Sequence, residues 1–108
     1  MPDRAPAAVG LVRLDIPAPD IDLYELAARN GCRLLYTVKT NARPLVVTYA
    51  LAKYAAEYDA RAVVVPGFEH ADDIRHIITD NAALITPRQI YPRGYRWNRE
   101  DMPCGGDI

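Results

Sequence analysis

Ala8-Val9-Gly10-Leu11-Val12-Arg13-Leu14 is an apolar run with one charge near its end, and Asp15-Ile16-Pro17-Ala18-Pro19 stops it with two prolines. A short aliphatic run bounded by such a breaker reads as a buried strand, here residues 8–14, with Arg13 at its carboxyl end. A strand buried on both faces needs a covering layer on each side, which points to a parallel sheet between helices.

The residues on its carboxyl side supply those layers. Asp22 with Glu25 three positions on makes a capping-box start for a helix beginning near Asp20 or Asp22, and Gly31 suits its left-handed stop. Leu23, Leu26 and Ala27 form that helix's apolar stripe. Residues 33–39 read as a second strand through Leu34, Leu35, Tyr36 and Val38. Pro44 then opens a longer helix over residues 45–58, because a first-turn position needs no amide. Val47, Leu51, Tyr54, Ala55 and Tyr58 are expected to face the sheet, while Val46, Tyr49, Ala50 and Lys53 lie elsewhere on the helix. A β-branched third strand at 61–65 runs into Pro66-Gly67, followed by a third helix over 71–81 and a fourth strand at 83–86. Ile74, Ile77 and Ile78 give that last helix its buried stripe.

Strands alternating with helices build right-handed βαβ units. The expected fold is a three-layer α/β domain with a short parallel sheet in the flavodoxin-like order 2-1-3-4, over residues 1–87. Residues 88–108 are expected to form an irregular basic-aromatic tail.

The chain has 108 residues, enough for one core, with half of them hydrophobic and a quarter charged. No run approaches the ~20 apolar residues of a membrane span, and Met1-Pro2-Asp3-Arg4 does not read as a secretory leader, so a cytoplasmic location is expected. Thirteen basic side chains against 14 acidic ones leave a net charge of -1, which favours no polyanionic partner. All the basic residues except Lys39 and Lys53 are arginine, which is compatible with anion binding but is read first as GC-rich codon usage. Cys32 and Cys104 make neither a disulfide framework nor a metal set, and Cys32 fits a small core residue.

The stretch Gly10-Leu11-Val12-Arg13-Leu14-Asp15 resembles the opening of the serine recombinase catalytic domain (resolvases and invertases), roughly Gly-aromatic-x-Arg-x-Ser. In that family the serine attacks a DNA phosphodiester; the aligned residue here is Asp15. Arg13 matches the arginine two residues earlier. Arg43, with Leu45 behind it, resembles the arginine of the family's Asp-Arg-x-x-Leu helix entry, and Glu69 falls where the family carries an aspartate. The family's following Arg-Leu-Gly-Arg is replaced by His70-Ala71-Asp72-Asp73, so His70 and Asp73 stand where two phosphate-neutralising arginines are expected. The resemblance implies a resolvase-like fold over roughly residues 8–87. It equally implies lost chemistry. A carboxylate has no hydroxyl to add to phosphorus, and removing even one charge-stabilising donor slows such reactions by ~10²–10³. Pro87, Pro92 and Pro103 also break any long dimerising helix like the family's, and no helix-turn-helix is expected.

Other signals are weaker. His70, Asp72, Asp73 and His76 lack the spacing of a metal site, and Asp20 and Asp22 read as capping charge. A phosphorylatable receiver would need paired acids after strand 1, and no Gly-x-Gly-x-x-Gly or Gly-Lys-Ser/Thr follows any strand. Arg88, Arg93, Arg96 and Arg99 are interleaved with Tyr91, Tyr95 and Trp97. That pattern suits stacking on single-stranded bases, docking to another chain, or folding back on the domain. The expectation is a non-catalytic protein, without cofactor or metal, that binds a protein partner or itself as a homodimer. Its surfaces would be Val46, Tyr49, Ala50 and Tyr54 on the second helix and Tyr91, Arg93, Tyr95, Arg96 and Trp97 in the tail. The alternatives are a nucleic-acid accessory protein using the tail, and a small enzyme holding an anionic substrate with Arg13, Arg43 and His70.

Overall fold

The computed structural model describes residues 5–18 and 20–97. Met1 to Arg4, Pro19, Arg99, Pro103 and Cys104, on which some of these expectations fall, lie outside the described residues. Five strands, β1 (Ala7–Arg13), β2 (Arg33–Thr40), β3 (Ala60–Val64), β4 (Ala83–Ile85) and β5 (Ile90–Tyr91), form one sheet ordered β2-β1-β3-β4-β5. The first four are parallel in the expected 2-1-3-4 order, and β5 adds an antiparallel edge beside β4.

Helix α1 (Leu23–Arg29) covers one face, and α2 (Pro44–Tyr58) with α3 (Arg75–Asn81) covers the other. The Asp22 carboxylate caps α1 by accepting from the amides of Tyr24 and Glu25 at 2.9 and 3.3 Å. Leu26 and Ala27 pack against Ala8, Leu34, Ala62, Val64 and Ile85. On the opposite face Val47 and Leu51 of α2 and Ile78 of α3 meet Val9, Leu11, Val63 and Leu84. Alternate β1 residues thus serve opposite layers, as the two-residue strand period requires. Cys32 is half-buried beside the α1 layer, and that burial pushes its thiol pKa up.

Several expectations need correction. Leu35 and Tyr36, both expected in the strand's apolar run, are each 40% exposed; the β1–β2 register shifts there, so that Tyr36 rather than Leu35 pairs with Val9. The bulge sends Leu34 to the α1 layer and Tyr36 to the α2 layer. The helix expected over 71–81 begins instead as two 3-10 turns, Phe68–His70 and Asp72–Ile74. The cause is tertiary: the buried His70 and Ala71 are held against the sheet before the α-helical rise can begin. Ile77, expected in the buried stripe, is 37% exposed.

The tail expected to be irregular contributes β5 to the sheet. Thr86 makes the return possible: its amide and hydroxyl donate to the Gln89 carbonyl, and its hydroxyl accepts from the Gln89 amide. This side-chain clasp closes a tight link around Pro87 and Arg88, which sets Ile90 against Ile85 and Tyr91 against Leu84.

Candidate functional site at the sheet rim

Ligands of open α/β sheets bind beyond the carboxyl ends of the strands, where the strand order reverses. In this chain that place lies between β1 and β3. The structure brings Arg13, Asp15 and His70 together there. Arg13 is the last residue of β1, on the same side of the strand as Val9 and Leu11, and only 7% exposed. Its Nε forms an ion pair with an Asp15 carboxylate oxygen at 3.5 Å, and that buried nitrogen has no hydrogen-bond partner among the described residues. Asp15 itself is exposed.

His70 is 1% exposed and committed to the main chain at both ring nitrogens. Its Nδ1 accepts from the Arg13 amide at 2.9 Å. The ring proton therefore belongs on Nε2, which donates to the Pro17 carbonyl at 3.3 Å. One imidazole thus ties the end of β1 to the Pro17 loop and to the first 3-10 turn after β3. A histidine bound this way has no free nitrogen for a substrate.

The other three residues do not join this cluster through any side-chain bond. Arg43 occupies the N-cap position of α2 without capping it, and Glu69 and Asp73 are exposed. Among the described residues none of these three side chains makes a hydrogen bond or an ion pair. Glu69 folds over Gly67, where an added Cβ would come within 2.8 Å of its carboxylate. Nor do three His, Cys, Asp or Glu side chains converge as metal ligands among the described residues.

Arg75 is the buried cation that sequence reasoning missed. It is 4% exposed, pairs with the Asp72 carboxylate, and donates to the Asp72 carbonyl at 3.2 Å. Its guanidinium also lies 5.8 Å from the Phe68 ring centre and 5.1 Å from that of Trp97. Arg75 stands three residues before Ile78 and four before Thr79, both buried, so helical spacing alone puts it on the inner face. That signal was local, and only the charge of the side chain spoke against it.

The tail rings pack against this arginine and against one another. Phe68, Tyr91, Tyr95 and Trp97 form a cluster with ring centres 4.7–5.8 Å apart. The indole of Trp97 donates to the Thr79 hydroxyl at 2.9 Å, and the Gly94 amide donates to the Thr79 carbonyl at 2.6 Å. Arg93 and Arg96 remain exposed at the outer surface.

On α2, Val46 and Tyr49 stand in solvent and Ala50 is half-buried. Tyr54 is placed differently: it stacks on Tyr36 at 4.4 Å and near Tyr58 at 6.5 Å, so it belongs to the sheet side of the helix. Beside α2, a groove of about 330 Å³ runs between α2 and α3. Among the described residues no helix is long and apolar enough to cross a membrane.

Comparison with protein-family models, with curated proteins and with solved structures finds no match.

Proposed function

We propose that this domain is a resolvase-like, non-catalytic module that works through protein–protein association. The observation that carries this reading is the closure of the rim. Both nitrogens of His70 are occupied by main-chain groups, Arg13 is buried beside an acid, and Asp15 stands where a nucleophile would be needed. Phosphoryl transfer depends on positive groups free to meet the equatorial oxygens, and His70 and Arg13 are poorly placed for that. The same closure argues against an anionic substrate held by Arg13, Arg43 and His70. Association is supported by the opposite condition on α2, where Leu45 and Tyr49 are 81% and 82% exposed. Large apolar side chains grouped in solvent are characteristic of interaction surfaces. The reading is of a cytoplasmic protein that needs no cofactor.

A nucleic-acid role for the tail has less support. Tyr91, Tyr95 and Trp97 use their faces and edges on one another and on Phe68, which leaves the exposed arginines without a free stacking platform.

Incubation with supercoiled DNA tests the non-catalytic part. The expected outcome is no nicking and no covalent protein–DNA adduct, with Asp15→Ser equally inert because the arginines at 70 and 73 would still be missing. A covalent adduct formed by the unmodified chain would overturn the reading.

A further inference from the structure

We propose that the cavity beyond the carboxyl ends of β3 and β4 binds a small zwitterion, an amine and a carboxylate carried on one apolar body, as in a free amino acid or a dipeptide. The inference goes beyond the association reading and does not depend on it.

The cavity holds about 520 Å³, within the size range of small-molecule sites. Three connections enclose it: Ile21 ahead of α1, residues 66–69 leaving β3, and residues 86–89 leaving β4. It lies at the end of the sheet where open α/β folds take their ligands, and Arg13 and His70 are not part of its wall. Closure of the rim at those two residues therefore leaves this space open.

The wall carries one charge of each sign. Glu69 and Arg88 both line the cavity and are both exposed, and among the described residues neither makes an ion pair or a side-chain hydrogen bond. A simple anion entering there is drawn to Arg88 and repelled by Glu69, and a simple cation meets the reverse. A molecule carrying both signs satisfies both groups at once.

Gly67 sets the position of the acid. The Glu69 carboxylate lies back over Gly67, 2.8 Å from the point that a Cβ there would occupy. With φ of −166° this glycine has extended backbone that any residue adopts, so what it supplies is space for the carboxylate. Arg88 sits in the link closed by the Thr86–Gln89 clasp, which fixes its backbone and spends the Thr86 hydroxyl. Its guanidinium suits a carboxylate, which it can meet through two parallel bonds. Ile21, Pro66, Phe68 and Tyr91 add apolar surface for the body of the ligand. Exposed ion pairs are individually weak, so an affinity on the order of 0.1–1 mM is expected.

Nuclear magnetic resonance of the nitrogen-15-labelled full chain, titrated to ~10 mM so as to pass that affinity, tests the site. L-Phenylalanine and glycyl-L-phenylalanine are the zwitterions, differing in the distance between their charges. Phenethylamine and phenylpropionate carry one charge each. We expect saturable shifts at the amides of Gly67, Glu69 and Arg88 with at least one zwitterion. The singly charged compounds should bind at least about fivefold more weakly, as should the better zwitterion to Glu69→Gln or Arg88→Gln, because each loses one charge-assisted contact. Gly67→Ala keeps both charges but displaces the carboxylate, and should weaken binding by about threefold or more with the rest of the spectrum unchanged. The inference is overturned if neither zwitterion gives saturable shifts, if a singly charged compound binds as well as the better zwitterion, or if the shifts fall away from the cavity.

Discussion

His70 is the residue on which the closed rim depends most directly. Replacing it with alanine orphans the Arg13 amide and the Pro17 carbonyl and empties a fully enclosed volume. An unsatisfied buried group costs about 1–3 kcal/mol, so His70→Ala should lower unfolding stability by at least about 2 kcal/mol. His70→Asn keeps a short side chain with an acceptor within reach of the Arg13 amide and should lose less. Chemical denaturation of the two variants checks the ranking; equal stability of all three proteins would contradict it. The role could not be read from the chain. The sequence puts His70 after the third strand, but a bond to an amide 57 positions earlier has no local signature. Arg75 was hidden by its charge: its spacing from Ile78 and Thr79 puts it on the inner face of α3, but the Asp72 carboxylate and the rings of Phe68 and Trp97 that accept it there are brought by the fold.

At the scale of elements, legibility followed how local the cause was. Asp22 caps α1, Pro44 opens α2, and the β-branched Val63 and Val64 form β3, each from chemistry contained within a few residues. The bulge at Leu35 resolves two competing demands, Leu34 for one layer and Tyr36 for the other, and appears only once both layers exist. Strand β5 is two residues long, below what any periodicity detects, and depends on the Thr86–Gln89 clasp and on the Trp97–Thr79 bond. The tail is therefore predicted to be part of the fold. Truncation after Pro87 removes β5 and three half-buried rings. With a fully buried large side chain contributing roughly 1.5–3 kcal/mol, the loss should be about 3 kcal/mol or more. Trp97, the only tryptophan, should emit at short wavelength and resist a soluble quencher in the intact protein. An unchanged melting temperature after truncation, or emission like that of free indole, would contradict this packing.

Among the described residues the molecule is a sheet with one α-helix on one face and two on the other. Its order was foreseeable because right-handed crossovers leave few ways to arrange four parallel strands. The fold alone assigns no activity, since the same architecture carries many. What separates a reactive rim from an inert one is whether its charged groups face the opening or the protein. In this chain His70 and Arg13 face the protein, while the exposed apolar surface lies away from the rim, along α2. Nuclear magnetic resonance of the nitrogen-15-labelled chain during titration with duplex DNA tests that contrast directly. The account predicts that the His70 ring nitrogens, with the proton on Nε2, and the Arg13 Nε signal stay in place throughout the titration. Saturable shifts at Arg13 and His70 together would show an open phosphate site at the rim and contradict the account.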